Sequence, residues 1–105
     1  MEIATQYARS GDLQIAYQVL GDGPIDVVLV PLFVSAIDAM WDVPQTSRML
    51  QRIATFARLI VWDRRGSGMS DGTPGAASLE EQIDDVRAVL DAVGSEQPVL
   101  LSVME

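Results

Sequence analysis

Residues 59–71 read Leu-Ile-Val-Trp-Asp-Arg-Arg-Gly-Ser-Gly-Met-Ser-Asp, and the fold turns on that stretch. Four apolar residues, Leu59 to Trp62, run without alternation and stop abruptly at Asp63. Such a run predicts a strand covered on both faces, which is the pattern of a parallel sheet. Gly66 and Gly68 follow within a few residues and open backbone conformations closed to residues with a Cβ. The chain is therefore expected to turn tightly at the carboxyl end of this strand, the end at which ligands gather in open α/β sheets.

Working outward, Ile25 to Val30 is a second apolar run, broken only by Asp26, and fits a central parallel strand. Before it, Leu13, Ile15, Tyr17 and Val19 alternate with Gln14, Ala16 and Gln18. With the turn Arg9-Ser10-Gly11-Asp12, that period of two predicts a half-exposed antiparallel hairpin within residues 1–20. Pro44 suits a helix first turn, and Met49, Leu50, Ile53 and Phe56 recur at helical spacing as its expected buried stripe. Arg48 and Arg52 are expected in solvent, and Trp41, in the preceding loop, as a packing anchor. Ser78 and Glu81 form a capping box ahead of Leu79, Ile83, Val86, Leu90 and Val93, and Gly94 is placed to end that helix. Val99 to Val103 is a last apolar strand. The order β-β-β-α-β-α-β, two antiparallel strands leading into three joined by helical crossovers, is that of an α/β protein in one domain, residues 1–105. A dinucleotide-binding sheet is the competing architecture, but no G-x-G-x-x-G follows the first parallel strand.

The D-R-R-G-S-G-M-S-D loop resembles the D-x-R-G-x-G-x-S signature that follows the fourth strand of α/β-hydrolases. Together with ARSGDLQIAYQVLGDGP and SLEEQIDDVRAVLDAVGSEQPVLL, it is similar to the hydrolase-like domains found alone or fused to class III adenylate/guanylate cyclases. The resemblance runs across nearly the whole chain, but only through the first half of such a domain. It implies an α/β-hydrolase sheet that is incomplete here, and ester or related acyl or carbon–heteroatom hydrolysis as the family chemistry. A nucleophile elbow needs G-x-S-x-G, with small residues around a strained serine. In VLLSVME the resemblance puts Met104 at the nucleophile position, Ser102 where glycine stands, and Glu105 where a backbone N–H would form half of an oxyanion hole. The other half would come from Phe33 in Pro31-Leu32-Phe33, where Leu32 replaces a glycine. A thioether has no proton to lose and is no acyl-transfer nucleophile. Ser102 is flanked two residues away by Leu100 and Met104, too bulky for an elbow. The family's acid and histidine fall beyond residue 105.

Composition agrees that the chemistry is missing. The chain has no histidine and no cysteine, so it can complete no Ser-His-Asp or Cys-His relay, no histidine metal site and no disulfide. Nothing in the sequence calls for a cofactor. Asp63, Arg65, Gly66, Gly68 and Ser70 read as a structural loop, with Arg64 or Arg65 bridging to Asp84 or Asp85 and Ser70 capping a turn. Asp84 and Asp85 point about 100° apart on a helix and make no carboxylate dyad. A net charge of −8, with arginine as the sole basic residue, repels phosphate backbones and excludes nucleic acid as a partner. The longest apolar run, Val27 to Val34, is far below the ~20 residues of a membrane span, and no leader pattern is visible, so a cytoplasmic setting is expected. Two readings of function result: a truncated or degenerate hydrolase-like domain without activity, or a non-catalytic regulatory or binding module of a nucleotide cyclase or similar multidomain protein. In either, the Val99–Val103 strand is expected at an exposed edge, prone to self-association.

Overall fold

A computed structural model describes residues 3–30, 37–72 and 78–102. Its elements in chain order are β1 (Gln6–Ser10), β2 (Leu13–Leu20), β3 (Ile25–Leu29), α1 (Ile37–Met40), α2 (Pro44–Ile53), β4 (Ala57–Trp62), α3 (Leu79–Val93) and β5 (Val99–Leu101). The strands form one five-stranded sheet in the order β1-β2-β4-β3-β5. β1 and β2 pair antiparallel, and β2 meets β4 antiparallel through Tyr17↔Trp62 to Leu20↔Leu59. β3 lies parallel between β4 and β5. The antiparallel leading hairpin and the parallel strands joined by helical crossovers are those expected from the sequence.

The apolar run that ends at Trp62 is buried on both faces because successive side chains leave a strand on opposite sides. Ile60 and Trp62 enter one cluster with Ile15, Tyr17, Val28 and Val89. Leu59 and Val61 enter the other with Ala16, Val27, Ile37 and Leu50. Thus α3 covers one face of the sheet through Val89, while α1 and α2 cover the other through Ile37 and Leu50. Each such fully buried aliphatic side chain contributes about 1.5–3 kcal/mol relative to exposure.

Three expectations need correction. β2 is not half-exposed: Ile15, Ala16, Tyr17 and Gln18 are all buried, because β4 pairs with its other edge and helices lie on both sides. The alternation reports that Ala16 is small and Gln18 is hydrogen-bonded, not that one face is wet. In α2 only Leu50 is buried; Ile53 is half-buried, Met49 is exposed, and Phe56 lies beyond the helix end, exposed as well. In α3 the fully buried positions are Asp85 and Val89, whereas Leu79 and Ile83 are exposed and Val86, Leu90 and Val93 pack at the margin of the core. An ion pair at Asp85 fixes that helix's rotation, and hydrophobic spacing does not register it. The loop before Pro44 contains the short α1, and Trp41 packs beside it against the second cluster.

Caps and turns follow local chemistry. Ser78 Oγ accepts the Glu81 N–H at 3.1 Å, and the Glu81 carboxylate accepts the Ser78 N–H at 2.9 Å. Gly94 closes α3 with φ 70°, in the left-handed region. Between β2 and β3, a Cβ on Gly21 would lie 2.5 Å from the Ala57 carbonyl oxygen, and φ is +86° there, so glycine is required on two counts.

Asp26 and Arg58 stand opposite each other on β3 and β4, and the guanidinium donates to both carboxylate oxygens at 2.7 and 2.8 Å. That bond holds the Asp26 carboxyl below its ordinary range. Because the folded-state value lies below the unfolded one, about 3.9, the pair's contribution is complete above that pH and is lost as pH falls through the folded value. Chemical denaturation followed from pH 6 down to pH 2 should show stability falling in the acid limb, with the dependence shallower in Asp26→Asn; an identical slope in the variant would refute the linkage.

Candidate functional site

The carboxyl end of β4 is organised by Asp63. Its own N–H donates to the Ala16 carbonyl at 3.0 Å, extending the β2–β4 ladder one step beyond Trp62. The side chain is fully buried. Oδ1 accepts the Ile37 N–H at 2.9 Å, fixing the start of α1, and Oδ2 accepts the Met69 N–H at 2.9 Å. One carboxylate thereby joins the loop after β4 to the segment that follows β3. Gly68 is required beside it: φ is +53°, and a Cβ would fall on the carboxylate itself.

The remainder of the loop substitutes for the strand that β4 no longer provides. Ser70 Oγ donates to the Asp63 carbonyl at 2.7 Å and accepts the Ala16 N–H at 2.8 Å. Asp71 Oδ2 accepts the Gln14 N–H at 2.9 Å, and the Asp71 N–H donates to the Gln14 carbonyl at 2.8 Å. β2 therefore has its backbone groups satisfied along the half that β4 does not reach. Gly66, with φ 76°, turns the chain back so that its N–H donates to the Asp71 carbonyl at 2.8 Å.

Arg65 ties this loop to α3. Its Nε and Nη2 donate to the two Asp85 oxygens at 2.8 Å each, and Nη1 donates to Glu81 at 2.6 Å. Of the pairings open in the sequence, Arg65 with Asp85 is formed, and Asp84 is exposed. Asp85 is a buried carboxylate answered by a bidentate fork, the strong form of this interaction. Hydrogen bonds from Ser78, and then the Arg65 charge, hold Glu81 below its ordinary range. The capping box of α3 and the glycine loop thus share one carboxylate.

Gln18 was not singled out by sequence reasoning, and a glutamine on an alternating strand gives no signal of burial. It accepts the Trp41 indole N–H at 2.7 Å and donates to Thr5 Oγ1 at 3.0 Å, joining the turn after α1, β2 and the leading segment. Met104, Phe33 and Glu105 lie outside the described residues, as do Leu32 and Val103. Among the described residues no group of carboxylates forms a metal-ion site, and no helix is long and apolar enough to cross a membrane. A cleft of about 590 Å³ opens beside Arg65, between the β1–β2 turn and α3. Its lining includes Arg9, Arg65 and Arg87 as well as Asp12, Asp84 and Asp91, so it favours neither sign.

No protein-family model and no curated protein matches the sequence. Solved structures do. An α/β-hydrolase from Sphaerobacter thermophilus is 33% identical and superposes with a TM-score of 0.71 over 92% of this chain and 35% of that one. Est816, an N-acyl homoserine lactone degrading enzyme, is 28% identical with a TM-score of 0.74 over 90% and 34%. The enol-lactonase of Burkholderia xenovorans LB400, 22% identical with a TM-score of 0.74 over 93% and 36%, shares the fold. The chain spans about a third of the length of these structures. Its fold is that of an α/β-hydrolase over this portion, and the glycine loop is the turn that holds the portion together.

Asp63→Asn keeps the shape but turns an NH₂ group toward one of two buried N–H donors, and should cost about 1–3 kcal/mol by urea denaturation; an unchanged midpoint would show that neither bond matters. Arg65→Ala leaves the Asp85 carboxylate buried without its fork and should cost about 3–5 kcal/mol. Arg65→Ala combined with Asp85→Leu should recover much of that loss, and a double variant as unstable as the single one would refute the ion-pair account.

Proposed function

We propose that this chain is an α/β-hydrolase-like scaffold without hydrolytic activity of its own. The observation that carries the reading is the absence of any histidine in the sequence, joined to a glycine loop whose polar side chains are committed to structure. Met104 stands at the nucleophile position by resemblance, with Phe33 and Glu105 at the oxyanion-hole positions; a methionine there supplies no nucleophile. The family chemistry is hydrolysis of an ester, a related acyl bond or a carbon–heteroatom bond. The lactone-degrading and lactonase neighbours fall within it. Short p-nitrophenyl esters incubated with the purified chain should show no turnover above buffer. Turnover abolished by Ser102→Ala would overturn the reading.

The second reading is a regulatory or binding module attached to a nucleotide cyclase, favoured by the sequence resemblance of residues 8–24 and 78–101 to such domains. A cyclase domain encoded downstream of the same gene separates the two. Partner choice belongs to the same proposal: the acidic balance disfavours nucleic acid, the cysteine-free sequence suits the cytoplasm, and the apolar Val99–Val103 segment favours association with another chain.

A further inference from the structure

The cleft between the β1–β2 turn and α3 lies at the opposite end of the sheet from β5, and two features there point to a ligand. The first is Ser10. Ala8 and Ser10 are the two buried residues of β1 and, being two apart, share one face of the strand. Ala8 belongs to the cluster that holds Val89 of α3, so Ser10 is directed beneath the same helix. Ser10 is only 7% exposed and lines the cleft, yet its hydroxyl makes no hydrogen bond with a described residue. Its oxygen is not sealed from solvent, and the cleft is where it opens.

The second feature is charge left over on α3. Asp84, Arg87 and Asp91 line the cleft from one stripe of the helix, since residues three and four apart share a face. Those spacings allow Arg87 to pair with either aspartate, yet among the described residues it forms no ion pair. The other arginines of the lining are engaged: Arg65 with Asp85 and Glu81, Arg9 with the Gly11 carbonyl and Asp12. One guanidinium, two carboxylates and one buried hydroxyl are thus left facing the same space.

We infer that this cleft binds a free amino acid through the carboxylate and ammonium of its zwitterion, with preference for one whose side chain carries a second positive charge. Arg87 and Ser10 supply N–H and O–H donors for the ligand carboxylate, in charge-assisted hydrogen bonds. Asp84 and Asp91 are acceptors only, which suits ammonium groups and repels a second carboxylate. A free phosphate would meet two carboxylates for one guanidinium. Leu13 and Ala88 line the cleft and pack at the margin of the core, giving the ligand's methylene groups an apolar floor. Ala88 lies one turn after Asp84, and its small side chain leaves room between the two carboxylates. The volume, about 590 Å³, falls within the roughly 300–1,000 Å³ of small-molecule clefts. Binding here goes beyond the inactive-scaffold reading and is separate from ester turnover, so either result leaves the other standing.

Titration of the isotope-labelled whole chain with L-lysine should shift the amide resonances of Ser10, Gly11, Arg87 and Asp91 saturably. Cadaverine, which lacks the carboxylate, and hexanoate, which lacks both ammonium groups, should each bind at least about tenfold more weakly. Ser10→Ala and Arg87→Gln should each weaken L-lysine binding about tenfold, while Arg52→Gln, on α2 across the sheet, leaves it unchanged. Arg87 is exposed, so its variant keeps the test open if Ser10→Ala fails to fold. Resonances unmoved by L-lysine, cadaverine binding as tightly as L-lysine, or an affinity unaltered in Arg87→Gln would each overturn the assignment.

Discussion

The fold depends on a single buried carboxylate. Asp63 sits where the central strand ends, and at that point several backbone N–H groups need acceptors away from water. A carboxylate offers two oxygens and several lone pairs, more than any neutral side chain of its size. Asp63 spends them on Ile37, from the segment after β3, and Met69, from its own loop. These are the two stretches that flank the carboxyl ends of the parallel strands. An aspartate immediately after an apolar strand is costly to bury unless such donors surround it, so the loop's glycines follow from the aspartate. Gly68 has to lack a side chain because the carboxylate occupies that space.

A second carboxylate sets the position of α3. Asp85 is buried on a helix whose first turns expose Leu79 and Ile83, and the Arg65 fork accounts for the inversion. The helix is locked by charge at its middle, by its capping box at one end and by Gly94 at the other. Glu81 serves both the cap and Arg65, so helix initiation and loop closure are one event. Structural polar networks of this kind hold an arrangement that apolar packing alone leaves free to rotate.

Much of this was legible. The unbroken run ending at Trp62, the double glycine after Asp63, the Ser78–Glu81 box and Gly94 each reduce to a local rule, and they mark out elements in their order along the chain. The errors share a cause. Alternation in β2 and helical spacing in α2 and α3 describe single elements, whereas burial depends on what is packed against them. β2 is covered twice because β4 inserts beside it, a fact of topology that no window over residues 13–20 contains. α3 is turned by an arginine 20 residues before its partner. Of the site, the loop could be read directly, while Gln18 could not, since a buried glutamine and an exposed one look alike in a sequence.

The pairing of β2 with the glycine loop has a consequence for how the chain comes together. Ala16 and Ser70 are 54 positions apart, and Gln14 and Asp71 are 57 apart. The leading hairpin has no second neighbour until β4 exists, and the half of β2 beyond β4's reach has none until the loop forms. A nascent chain leaving the ribosome therefore carries an unsealed, largely apolar strand until Asp71 has emerged. The loop that ends at Asp71 closes that window.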